Sequence, residues 1–153
     1  MVLLLYNSAR PAVSRLPIEE RTIFMEREVI EVPGISEVSR SRGVPISAAV
    51  RANGFIFVSG TPPIDPATGQ FVRGPIHEQA ERALRNLAHI LETAGSSLEK
   101  ICMVHVYASG DHYRAINEVY ARFFPSNPPA RTFVPVGDWP LDFDLEIECV
   151  ALA

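Results

Sequence analysis

The chain has 153 residues, 47% of them hydrophobic and 21% charged, with a formal net charge of −4. That length holds one domain, and the composition excludes a disordered, collagen-like or disulfide-stapled chain. The negative balance disfavours non-specific contact with nucleic acid or anionic membrane, and no apolar run reaches the roughly 18 residues that would cross a bilayer.

Residues 1–24 differ in character from the rest of the chain. Arg10-Pro11 and Leu16-Pro17 break any periodicity, and Arg15, Glu19, Glu20 and Arg21 make the stretch polar. It reads as a weakly ordered N-terminal extension or an arm over the surface, ahead of a domain covering 25–153. The apolar opening at 1–6 has no basic residue before it and is too short for a secretory signal. Together with two cysteines read as buried, inert thiols (Cys102 and Cys149), this points to a reducing cytoplasm.

The domain opens with a strand-like stretch at 26–32. Asn53-Gly54, set between the apolar runs 48–51 and 55–58, is a strong hairpin signal. Three prolines make 61–69 a loop. From 78 to 94, Ala80, Leu84, Leu87, Leu91 and Ala94 form one helical stripe, with Gly95 at the left-handed C′ position. Residues 101–107 form a strand that is apolar on both faces. Asp111 is expected to cap a second helix with the stripe Tyr113, Ile116, Tyr120 and Phe123, which Pro125 ends. Strands at 131–136 and 143–151 close the chain and read as a second hairpin.

The order β-β-α-β-α-β-β, with an extra strand first, predicts an α+β fold with a mixed sheet and two helices on one face. The strands at 55–58 and 101–107 are apolar on their other side too. A second copy of the chain is the expected cover, so a homo-oligomer is predicted.

No metal site is expected from His77, His89, His105 and His112, because none lies in an HExxH or a close Cys/His cluster. His89 reads as an exposed mid-helix residue and His105 as strand packing. No glycine-rich nucleotide loop or G-x-S-x-G elbow occurs, and Ser59 beside Gly60 reads as a turn hydroxyl. In the last strand, Asp144, Glu146 and Glu148 alternate with the apolar Phe143, Leu145, Ile147 and Cys149. Arg131 in the preceding strand suits either a cross-strand salt bridge or a site where an arginine grips a carboxylate and a glutamate handles water. Spacing leaves both readings open.

The stretch 53–69, Asn-Gly-Phe-Ile-Phe-Val-Ser-Gly-Thr-Pro-Pro-Ile-Asp-Pro-Ala-Thr-Gly, resembles the signature of the Rid family, the reactive intermediate deaminases or YjgF-type proteins. Gln79 with 91–95, residues 117–120, 129–132 and 145–151 match in order, so the resemblance spans 25–153. It implies a chorismate-mutase-like fold assembled as a trimer around a central barrel, with sites in clefts between subunits. By the same resemblance, Arg131 binds the carboxylate of a 2-imino acid and Glu146 positions the attacking water. Ser59, Gly60 and Phe133 hold the substrate, with Ile46 and Trp139 in the pocket. The products are a 2-oxo acid and ammonia, and no cofactor, metal, nucleic acid or membrane is called for.

Two residues depart from the family pattern. Ile46, in Val44-Pro45-Ile46-Ser47-Ala48-Ala49, replaces a tyrosine, and Phe133 adds bulk two residues after the arginine. An unsaturated or ring-cleavage 2-amino acid suits that more apolar pocket. A non-catalytic trimer that binds a small carboxylate or a partner is the alternative. Ribonuclease action, attached to the family's name, is disfavoured by the acidic chain and the lack of a basic patch or a placed histidine pair.

Overall fold

A computed structural model describes residues 27–137 and 141–153. The extension at 1–24, the opening of the expected 26–32 strand and Trp139 lie outside the described residues. The principal elements among the described residues are β1 (Glu28–Ile30), α1 (Ser36–Ser41), β2 (Ala49–Ala52), β3 (Phe55–Thr61), α2 (Ile76–Thr93), β4 (Ile101–Ser109), α3 (Tyr113–Phe123), β5 (Ala130–Val136) and β6 (Leu145–Leu152). The strands form one mixed sheet in the order β1-β2-β3-β6-β4-β5, in which β4 and β5 run parallel and the other neighbours antiparallel.

The local signals act as expected in the first half. Asn53 and Gly54 both take positive φ, 49° and 80°, which gives the turn the twist that a two-residue hairpin needs. In α2 the stripe residues Leu84, Leu87 and Leu91 are fully buried. Gly95, at φ 75°, ends the helix while Ser96 N–H returns to Leu91 O at 2.8 Å, closing carbonyls the helix leaves unpaired. The helix begins at Ile76, just after Pro75, rather than at 78.

Four smaller expectations change. Asp111 does not cap α3: it lies in a short 3-10 turn over 110–112, and His112 precedes the helix without a side-chain cap. The six-residue α1 is an addition to the expected order, because a helix so short carries barely one turn of periodicity. Cys102 is exposed where the β4–β6 register shifts between Ile101 and Met103, while Cys149 is buried as expected. His89 is half-buried, with Nε2 3.1 Å from Pro33 O.

The largest change concerns the last two strands, which are not a hairpin. β6 inserts between β3 and β4, and β5 pairs in parallel with the far side of β4. The reason is burial. Leu145, Ile147, Cys149 and Ala151 form an unbroken buried face, and a central position gives that strand hydrogen-bonding partners on both sides. The connection over 137–144 is long enough to cross β4.

α2 and α3 cover one face, where Val58, Val104, Val106 and Ile147 meet Leu87 and Ile116. On the other face Phe55 is 38%, Phe57 46% and Leu152 47% exposed. The bare apolar face expected from the sequence is present.

Candidate functional site

The site begins at an irregularity in β3. Pairing with β6 passes from Val58↔Cys149 to Thr61↔Ile147, so β3 carries one extra residue around Ser59-Gly60. The bulge lies beside the segment that leads into the start of β2. Ser59 N–H donates to Ala48 O at 3.1 Å and its hydroxyl to Ser47 O at 2.7 Å, which tethers the bulge to the incoming segment.

Gly60 is required here for space rather than for backbone freedom. A Cβ at this position would lie 2.8 Å from Glu146 Cδ, 2.9 Å from Oε1 and 3.1 Å from Oε2. The missing side chain makes room for the Glu146 carboxylate. Burial, and secondarily the charge of Glu148, pushes the Glu146 carboxyl above the ordinary glutamate value. Among the described residues no donor bonds that carboxylate.

Glu146, Gly60 and Ser59 share a cavity of about 120 Å³ whose other walls are mainly apolar, among them Ile46, Val38, Ile90, Phe71 and Phe143. Ile46 is 51% exposed. Asn86, buried in α2, donates to Pro62 O at 3.2 Å and Ile64 O at 2.7 Å, fixing the proline loop that forms one side. Arg42 also lines the cavity; its guanidinium lies 4.2 Å from the Phe71 ring centroid and donates to Gly69 O at 2.7 Å.

The three acids do not form one row. Asp144 precedes β6 and turns to Gln79 of α2: its Oδ2 accepts from Gln79 Nε2 at 2.7 Å, and its N–H donates to Gln79 Oε1 at 2.9 Å. This reciprocal pair fixes where β6 begins, two residues before Glu146. Glu148 accepts from Tyr107 O–H at 2.9 Å, and the same Oε1 is 3.1 Å from His105 Nδ1. His105 therefore does more than pack the strand.

Arg131 is elsewhere. In register it opposes Val104, which opposes Cys149, and both of those residues are buried under the helices. Arg131 accordingly projects on the helix side, its Cζ 4.5 Å from the Tyr120 ring centroid. Among the described residues it makes no ion pair. Phe133, two residues on, shares that side and meets Tyr113 edge-on at 4.9 Å. Glu146 belongs to the alternate set of β6, two strands across and three residues along, roughly 14 Å away between backbones. A single chain thus joins Ile46, Ser59, Gly60 and Glu146, and holds Arg131 and Phe133 apart on its edge strand. The cross-strand salt bridge does not form, because β4 lies between the strands.

Phe71, Asn86, Phe143 and Tyr120 enter the site without a signal in the sequence. Phe71 and Asn86 carry no motif, Phe143 reads only as core face, and Tyr120, inside the matching stretch 117–120, reads as an ordinary stripe position. Among the described residues no group of three or more His, Cys, Asp or Glu side chains is placed to hold a metal.

One mixed sheet, two long helices on a single face and a desolvated glutamate at a bulge define a small α+β protein with a cleft at the ends of its interior strands. The sequence profile of the family described as Endoribonuclease L-PSP matches residues 41–153. A RutC family protein of Pyrococcus abyssi is 43% identical over 108 residues, 70% of this chain and 85% of that one. Reactive Intermediate Deaminase A, chloroplastic, of Arabidopsis thaliana is 35% identical over 108 residues, 70% of this chain and 58% of that protein. The crystal structure of E. coli TdcF with bound serine superposes with a TM-score of 0.67 at 33% identity, covering 71% of this chain and 88% of that one. The chain belongs to the Rid family, also called the YjgF, RutC or L-PSP family.

Proposed function

We propose that the protein is a cofactor-free hydrolytic deaminase that converts reactive 2-imino or enamino acids into 2-oxo acids and ammonia. The observation that carries the reading is the Glu146 carboxylate, desolvated and without a donor among the described residues, facing an apolar cavity through the space left by Gly60. Family membership, with a relative named as a reactive intermediate deaminase, supports the reaction class, and a relative crystallised with serine supports a small amino-acid-like ligand.

In this reading Glu146 takes a proton from water as the oxygen adds to C2 of the imine and the C=N electron pair moves to nitrogen. The proton returns to nitrogen. Glu146 then takes the hydroxyl proton of the carbinolamine and passes it to the departing nitrogen as the C–N bond breaks, leaving the 2-oxo acid and ammonia. A carboxyl with a raised pKa suits both halves, since it binds and releases a proton nearer neutral pH than an ordinary glutamate. Imines already hydrolyse in water, so positioning and one general base suffice.

Arg131 grips the substrate carboxylate, and it does so from a neighbouring subunit. The support is geometric: the two side chains are apart in one chain, and β5 is an edge strand, open to a second copy whose strand-end cavity holds Ile46 and Glu146. Joining unlike patches in this way is heterologous, and a threefold rotation would close it into a homotrimer whose bare faces line a central barrel. Phe133 of one copy and Ile46 of the other then flank the substrate. Free thiols at Cys102 and Cys149 fit a reducing, cytoplasmic setting. Arg40, Arg51, Arg73, Arg85 and Arg122 pair with carboxylates, which with a net charge of −4 disfavours an RNA-binding surface.

The test is imine hydrolysis with semicarbazide as competitor and a generating enzyme supplying 2-aminoacrylate. Wild type should lower adduct formation, and Arg131→Ala and Glu146→Gln should each lose about 100-fold or more. Mixing the two inactive variants and reassembling them should restore part of the activity, because some clefts then hold both native residues. No acceleration over buffer by a folded wild-type oligomer would overturn the deaminase reading and leave a carboxylate-binding protein.

A further inference from the structure

We infer that Tyr120 is a positioning residue that aims Arg131 without neutralising it; this rests on the reading of Arg131 as the carboxylate grip. An arginine on an edge strand sweeps a wide cone unless something holds its guanidinium. A partner carboxylate would hold it but would also compete with an anionic substrate, and among the described residues Arg131 has no such partner. What it has is the face of Tyr120, with Cζ 4.5 Å from the ring centroid. Attraction between a cation and a ring face fixes the plane of the guanidinium, and its N–H edges stay free to donate two parallel bonds to a carboxylate.

The ring is itself immobile. Tyr120 is 6% exposed, lies on α3 and packs against Phe124 at 4.5 Å with 34° between planes. Its hydroxyl is buried and has no hydrogen-bond partner among the described residues. A tyrosine kept for its hydroxyl would have the hydroxyl engaged; here the engaged part is the ring face. The grip is therefore pre-aimed and at full charge when the substrate arrives.

The test compares two isosteric rings. Phenylalanine at position 120 keeps the electron-rich face, and pentafluorophenylalanine keeps the shape and reverses the polarity of that face. Each full-length variant is titrated with 2-oxobutanoate by calorimetry and assayed for imine hydrolysis, beside wild type and Arg131→Ala. Tyr120→Phe should bind within about twofold of wild type, because the ring face remains. The fluorinated protein, melting close to Tyr120→Phe, should bind about five- to thirtyfold more weakly, with the loss in KM and kcat nearly kept. Equal binding by the two ring variants, with Arg131→Ala still defective, overturns the inference and leaves Arg131 as the grip. Equal weakening of both assigns the effect to the hydroxyl and also overturns it. Wild-type affinity in Arg131→Ala removes the reading of Arg131 and this inference with it.

Discussion

Replacing Gly60 by alanine tests whether the space beside the bulge exists for Glu146. Gly60 does not have a positive φ, so its backbone accepts an alanine without strain. The added Cβ would lie 2.8 Å from Glu146 Cδ, about 0.6 Å short of ordinary van der Waals contact. The carboxylate is the far end of a flexible side chain, so it yields by rotating away. The stability cost belongs to mild overpacking, about 1–3 kcal/mol, which for a chain of this size lowers Tm by about 2–4 °C per kcal/mol. The functional cost is larger, because a misplacement of this order costs about 100-fold in rate when the displaced group handles the reacting water. The assay pairs the semicarbazide competition with thermal melts of Gly60→Ala, Glu146→Ala and the double variant. If the clash is with Glu146, the Tm loss from Gly60→Ala shrinks to near zero in the Glu146→Ala background. An undiminished loss there, or wild-type turnover in the single variant, would mean that the space beside Gly60 does not serve Glu146.

Burial raises the Glu146 pKa, so the native state holds its proton to higher pH than the unfolded chain does. Stability from this group is full below the ordinary value of 4.5 and falls as pH rises through the elevated one. Glu146→Gln should therefore melt above wild type at pH 8, with the gap closing at pH 4; a pH-independent gap would contradict this. Phe57→Asp places a charge on the bare sheet face, so if the proposed trimer packs through that face light scattering should report smaller particles, with imine hydrolysis lost in parallel because the proposed clefts need two copies. An active, folded monomer would overturn the shared site.

The resemblance to a family draws attention to Arg131 and Glu146, and burial explains why spacing alone misplaces them. Alternation along 143–149 separates a core face from a polar one, and that holds in β6. Alternation is blind to which strand lies alongside. Two strands consecutive in sequence read as neighbours, whereas the fully buried face of Leu145, Ile147, Cys149 and Ala151 draws β6 into the sheet centre and leaves β5 at the edge. Asp144 belongs to the polar set by parity, yet Gln79, 65 residues earlier, captures it.

The elements with local causes are legible in the residues: the Asn53-Gly54 turn, the stripe and Gly95 stop of α2, and the apolar strands with a second face left to cover. Each arises from φ preferences or from periods of two and 3.6 residues. Tertiary structure alone decided strand order, the partition of the acids among separate partners, the room Gly60 leaves for a carboxylate and the ring beneath Arg131. Those depend on residues tens of positions apart meeting in space, and no local preference encodes that meeting.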